Sequence, residues 1–271
     1  MPELAEVKIM SDFINKISDG VAFSYMEKSP ETKVDTQNLS TSAEFSIEAV
    51  SRGKELKLIF PEWDEDLLFT MGMSGNWIAG LLKNGIPKHT HLRFFGTMKD
   101  GAEMFLGMND VRRFAKWKWV EKDTWGKNRG PCVLTEHEKW KEHLNTNLFL
   151  GKAVFVSKPI YEAMMDQKFF NGIGNYLRAW IIGELDVNPK LTLYEFYKQE
   201  QGFERLCSKT LEIVQSSYIM GGGQLKDWTN PNGAEPFKIL HYGDAINSKA
   251  IRDRQGRAFW FKNKWSNVML T

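Results

Sequence analysis

The sequence predicts an α+β protein of two domains: an N-terminal antiparallel β-sandwich with flanking helices, then a helical domain closed by a β-hairpin. Three observations carry this. From Val21 to about Trp119 the chain runs in short apolar or alternating stretches broken by Gly, Pro and Asp, which is the pattern of strands and turns. From Leu134 to about Tyr218 the apolar period lengthens to that of helices. From Lys249 to Lys262 residues alternate again around the turn RQGR. At 271 residues each half is long enough to bury its own core, with the division expected at residues 2–130 and 131–271.

The first element is a helix over Glu3–Ile17, because Leu4, Val7, Ile14 and Ile17 recur at helical spacing. The strand-like runs that follow are FSIEAVSRG, KELKLIF, DLLFTMGMSG, HLRFF, AEMFLGM and FAKWKWV. The segments LTEHEKWKEHL, YEAMMDQKFF, YLRAWIIGEL, LYEFYKQE and RLCSKTLEIVQSSYI read as helices separated by Gly, Asn and Pro. No internal repeat or low-complexity tail interrupts this order.

A formal net charge of +2 does not announce a nucleic-acid protein, so any basic surface must be local. Two cysteines, Cys132 and Cys207, could form at most one bridge, which argues against a disulfide-stapled scaffold. The start MPELAEVKIM lacks the apolar run of a secretory leader, and no stretch has the length of a membrane span. The expectation is a soluble, intracellular monomer.

Removal of Met1, favoured by a small following residue, would leave a secondary amine on Pro2. An α-amino group with a reference pKa near ~8 is roughly a tenth free base at pH 7, far more than a lysine, and can condense with an aldehyde carbon. Glu3 sits beside it and Glu6 one helical turn on, so two carboxylates can share acid and base duties there. Taken alone, Met-Pro-Glu is also an ordinary helix start.

The segment DQKFFNGIGNYLRAWII, residues 166–182, resembles the helix–two-turn–helix signature of the formamidopyrimidine-DNA glycosylase and endonuclease VIII family. Gly172 and Gly174 permit close approach of a phosphate, and a helix start with Asn175 offers donors to it. Other landmarks follow in order: MPELAEV, SRGKEL, GMSG, PKHTHLRF, DVRRF and GRAFWF. RGKELKL, RGPCVL and DQKFFNGIGNYLRA are most similar to the animal endonuclease-VIII-like enzymes with a metal-free terminal finger, whereas GGGQLKDW resembles the bacterial formamidopyrimidine enzymes. Ala5 departs from the family's usual proline, at a position that supplies no functional group.

The resemblance implies these roles. Pro2 is the Schiff-base nucleophile, Glu3 the acid that assists sugar opening, Glu6 a supporting carboxylate, and Lys54 serves both catalysis and phosphate binding. His89, Asn175 and Arg257 join Lys54 in holding phosphates. Met73, Arg112 and Phe114 fill the hole left by an everted nucleotide, although Met73 and Phe114 alone would read as core residues. Gly222, Gly223, Gln224, Leu225 and Lys226 form the lesion-recognition loop, within a longer loop from Gly221 to Gly233. The hairpin, about 248–264, is a zincless finger: after Cys207 there is no cysteine and only His241, too few ligands for a structural zinc.

The implied activity is excision of oxidised pyrimidines and formamidopyrimidines, followed by β- and δ-elimination at the abasic site, in base-excision repair. The implied partner is duplex or bubble DNA carrying oxidised bases or abasic sites, with no cofactor, no metal and no membrane. The implied location is with the DNA: the nucleus if eukaryotic, the nucleoid or cytoplasm if bacterial or viral. The rival reading is a catalytically inactive binder of damaged nucleic acid with the same fold, which intact Pro2, Glu3 and Lys54 argue against. A helical adaptor of the ribosomal type would leave the sheet domain unexplained.

Overall fold

The computed structural model describes residues 1–32, 39–243 and 248–270. The chain forms two compact units, one of residues 1–126 with 224–236 and the other of residues 127–223 with 237–271. The division therefore falls at Gly126/Lys127 rather than at residue 130, and the second unit is not contiguous in sequence. Residues 224–236 leave it to join the first, a return that no local pattern marks.

The first unit begins with α1 (Leu4–Ser18), capped by Glu3. Its buried residues include Leu4, Val7, Met10, Phe13 and Ile14, while Ile17 is only half-buried. Strands β1 (Ala22–Lys28), β2 (Leu39–Phe45), β6 (Asn76–Leu81), β7 (Thr90–Thr97) and β8 (Glu103–Asn109) make one antiparallel sheet, in the order β2-β1-β7-β8-β6. Strands β3 (Glu48–Arg52), β4 (Glu55–Ile59), β5 (Glu65–Thr70) and β9 (Lys116–Glu121) make the other, in that order. Aromatic rings join the two sheets, with Phe69 of β5 5.1 Å from Trp77 of β6, and Phe60 after β4 6.1 Å from Phe94 of β7. Burial of such rings is the main driving force for closing the sandwich.

Two features tie the end of α1 and the β3–β4 turn into this frame. Strand β3 is an edge, and an edge leaves backbone groups unpaired. Asn15 of α1 satisfies both groups of Ala49 there, accepting its N–H at 2.6 Å and donating to its carbonyl at 2.9 Å. Next, β3 and β4 are joined by Gly53 and Lys54 alone, with Gly53 at φ 59°, the left-handed conformation that a two-residue hairpin turn requires. That short turn sets the position of Lys54.

The second unit holds α2 (His137–Phe149), α3 (Ala153–Ser157), α4 (Ile160–Ala163), α5 (Asn175–Leu185), α6 (Leu193–Tyr197), α7 (Gly202–Ile219), the hairpin β10 (Ser248–Arg252) and β11 (Ala258–Lys262), and α8 (Ser266–Met269). The helix expected over residues 161–170 is confined to α4, and turns replace the rest. The Gln167 side chain competes for the backbone: it accepts the Gly172 N–H at 3.1 Å and donates to the Ile173 carbonyl at 2.9 Å, which braces the turn before α5. Short α3 was not distinguished in the sequence.

The hairpin is pinned by Phe259 and Phe261, 0% and 2% exposed, with Phe259 stacked on Tyr161 at 4.6 Å. Trp260, between them on the strand, faces the other way and is only half-buried, and so is Ile251, which pairs opposite Phe259.

Candidate active site

Met1, 56% exposed, precedes Pro2 in the structure, so the terminal amine described there lies one residue ahead of the Pro2 nitrogen. The residue-1 amine stands in for the one that loss of Met1 would create on Pro2, about 3.8 Å of backbone away. Pro2 is buried, as are Glu3 and Glu6 at 3% and 0% exposure. Glu6 accepts the N–H of Glu3 at 2.8 Å, which commits it to the helix cap and makes it a positioning group beside the amine. Burial depresses the pKa of the amine below its ordinary value of 8.0; Glu3, Glu6 and Asp227 oppose that shift, and Lys54 adds to it. The net result favours the free base. Thus Glu3, Glu6 and Lys54 converge on the chain start as expected, joined by Asp227, whose position just past the expected lesion loop hid it.

Around the second site a single side chain organises the loops. Asp110 is 0% exposed, and its carboxylate accepts backbone N–H groups from Arg112 at 3.1 Å, Phe114 at 2.6 Å and Ala115 at 2.7 Å. It also accepts the Ser74 hydroxyl, tying the Met73 turn to the same centre. Its own N–H donates to the carbonyl of His89 at 3.0 Å, and His89 has left-handed backbone, φ 68°. Gly72 is required where the loops meet: it has φ 58°, and a Cβ there would lie 2.6 Å from the Phe114 backbone. Asp110 and Ser74 went unassigned in sequence, although an aspartate bonding backbone N–H groups ahead of it is ordinary turn chemistry.

The loops thus held project Met73, 37% exposed, and Phe114, 50% exposed, which removes the core reading of both. The Arg112 guanidinium lies 5.1 Å over the Phe114 ring and 3.7 Å from the Asp227 carboxylate. Two apolar groups and a cation standing in water are suited to replace a nucleotide in a base stack.

The second unit carries its own polar cluster. Asn175 opens α5, and its amide donates to the Ala258 carbonyl at 2.6 Å. Arg178, fully buried, donates to Asn175 Oδ1 at 2.5 Å and to Asp253 at 3.0 Å. Asp253 also receives Arg257 Nε at 2.9 Å. Burial pushes the Asp253 carboxyl up, but Arg257 and Arg178 outweigh it and hold it below its ordinary 3.8. A buried carboxylate therefore aims the part-exposed Arg257, while Asn175 is oriented from two sides.

The five residues expected to read the lesion divide. Gly222 and Gly223 are buried in the second unit, where Gly222 accepts the Phe237 N–H at 3.2 Å and a Cβ on Gly223 would meet Ile239 at 2.7 Å. Their role is close packing. Gln224 and Lys226 are exposed in the first unit, and Leu225 is half-buried. A cleft of about 680 Å³ near Lys16, Ile17 and Thr229 lies by the C-terminal end of α1, some 20 Å of helix rise from Pro2, too far to serve the amine.

The Formamidopyrimidine-DNA glycosylase N-terminal domain model matches residues 1–117, which, with a desolvated amine among carboxylates and an exposed wedge, places the chain in the class of DNA glycosylases. Endonuclease 8-like 1 of Mus musculus is 33% identical over 297 residues, covering 97% of this chain and 72% of that protein, and the Homo sapiens counterpart is 34% identical over 298 residues with the same coverage. The chain belongs to the formamidopyrimidine-DNA glycosylase and endonuclease VIII family. Among solved structures, MutM in complex with carbocyclic 8-oxo-G containing DNA superposes with a TM-score of 0.75 at 20% identity, covering 97% of this chain and 99% of that one. That likeness shows the shared fold. Among the described residues no helix is long and apolar enough to cross a membrane.

Proposed function

We propose that this DNA glycosylase and abasic-site lyase of base-excision repair attacks C1′ of a damaged nucleotide with the amine of Pro2, exposed by removal of Met1. The observation that carries the reading is the burial of Pro2, Glu3 and Glu6 at the chain start, which favours the nucleophilic free base of the amine that removal of Met1 would expose. As the new C–N bond forms, the glycosidic bond breaks and the base leaves with its electron pair, taking up the proton that the amine loses; Glu3 then protonates the ring oxygen as the sugar opens to the iminium. The resulting iminium draws electrons from C2′, so loss of the C2′ proton expels the 3′ phosphate, and a second elimination expels the 5′ phosphate. The product is a one-nucleotide gap with phosphate at both ends. No step needs a cofactor.

Met73, Arg112 and Phe114 occupy the vacated stack, Arg112 bonding the orphaned base. Lys54 and His89 on one unit, and Asn175 and Arg257 on the other, bind phosphates. Its oxidised pyrimidine and formamidopyrimidine substrates are excised ahead of 8-oxoguanine opposite cytosine. The protein acts as a monomer in the compartment that holds the DNA.

Borohydride trapping on abasic DNA is the test: the covalent adduct maps to residue 2, and a tag left ahead of Pro2 abolishes it. An adduct on Lys54 would reassign the nucleophile. An inactive binder of the same fold gives no adduct, and would have no use for two buried carboxylates at an amine.

A further inference from the structure

Asp227 has no part in the reading above, yet the fold spends several features on placing it. It follows Lys226 with left-handed backbone, φ 68°. The next residue, Trp228, is buried at 7% exposure, and its N–H closes a turn onto the Leu225 carbonyl at 3.2 Å. One residue further on, the Thr229 carbonyl accepts the Asn76 side chain at 2.6 Å, fixing the segment to β6. These ties hold the Asp227 carboxylate 3.7 Å from the guanidinium of Arg112, with both side chains about a third exposed. It also sits close enough to the residue-1 amine to act on it electrostatically.

The position is informative because a base leaving C1′ hangs one bond from the carbon that the amine attacks. Asp227 acts on that amine through its charge and lies 3.7 Å from the wedge arginine, so it stands at the edge of the space that an everted base would enter. Asp227 cannot serve that base while it faces Arg112, and Arg112 cannot bond an orphaned base while it faces Asp227. The pair is half-exposed and long, the kind of contact that exchanges readily for a better one. Entry of Arg112 into the duplex removes the cation from Asp227 at the moment when the damaged base arrives.

We propose that Asp227 is a base-reading carboxylate, covered by Arg112 in the free enzyme and uncovered when Arg112 moves to the orphaned base. This rests on the proposed roles of the amine and of Arg112. An ionised carboxylate only accepts hydrogen bonds, so the bases it favours present adjacent N–H donors, as ring-opened formamidopyrimidines and hydantoins do. It selects against lesions that turn ring acceptors toward it.

The test uses Asp227→Asn, because asparagine tolerates the left-handed backbone that alanine would strain, while one acceptor oxygen becomes a donor. Single-turnover excision of a formamidopyrimidine and cleavage of a preformed abasic site are measured side by side in duplex DNA, for wild type, D227N, R112A and the double variant. The ratio of base excision to abasic cleavage falls about tenfold or more for D227N, the loss expected of one hydrogen bond to a charged group. The fall persists when D227N is added to R112A, because the contact to the base does not pass through Arg112. If D227N adds nothing in the R112A background, Asp227 merely anchors Arg112 and the proposal is overturned. An unchanged D227N ratio overturns it too. Wild-type protein that forms no borohydride adduct would overturn the underlying amine reading as well, and that control separates the two failures.

Discussion

Asp110 offers the sharpest perturbation of the wedge. In Asp110→Ala, three backbone N–H groups and the Ser74 hydroxyl lose the acceptor they share in a fully buried position. An unsatisfied buried donor costs about 1–3 kcal/mol, and water can reach part of this site along exposed Arg112 and Phe114, so the loss is on the order of 3–5 kcal/mol. Asp110→Asn loses less, about 1–3 kcal/mol, since rotation of the Ser74 hydroxyl lets the amide nitrogen take the Oδ1 side with only the Arg112 N–H facing it. Against a total stability of roughly 5–15 kcal/mol, Asp110→Asn stays folded and Asp110→Ala is marginal. Urea unfolding followed by tryptophan fluorescence measures the first effect. Excision from duplex against cleavage of an abasic site measures the second, and duplex excision falls more because Met73, Arg112 and Phe114 lose their fixed geometry. Asp110→Ala within about 0.5 kcal/mol of wild type, or equal losses on both substrates, would refute the account.

Burial lowers the pKa of the residue-1 amine below 8.0, so for the chain that keeps Met1 the titration of its terminal amine falls below that value. Since the unfolded chain then binds more protons between the two values, stability rises with pH across that window; an inflection above 8.0 would show that the carboxylates win over burial. Arg257→Ala reduces the slope of log binding constant against log salt by about 0.9, and an unchanged slope would mean that Arg257 touches no phosphate, whereas Asn175→Ala, which removes no charge, weakens binding with the slope unchanged. Phe259→Ala destabilises the second unit by about 3–5 kcal/mol, since its ring is fully buried, whereas Trp260→Ala costs clearly less; calorimetry finding the reverse would contradict the packing of the hairpin.

The periodicity of the sequence was enough to separate a sheet-rich half from a helical half and to place α1, α5, α7 and the terminal hairpin, because burial on one face imprints a local repeat. Ordered motifs singled out Pro2, Glu3, Lys54, Asn175 and Arg257, the residues to which the proposed roles are given. What needed the folded chain was everything set by contacts distant in sequence. The return of residues 224–236 to the first unit, the burial of Gly222 and Gly223, and the choice of Phe259 over Trp260 as the inward ring all depend on neighbours that no local pattern names. The turn that follows the shortened helix is braced by the Gln167 side chain, whose partners Gly172 and Ile173 lie beyond the expected helix. Asp110 and Asp227 are the clearest cases. A lone aspartate in a loop reads as a solvated charge; only the tertiary structure gives one of them backbone donors to gather and the other an arginine and an amine to face, because electrostatic and hydrogen-bond partners are chosen by distance in space.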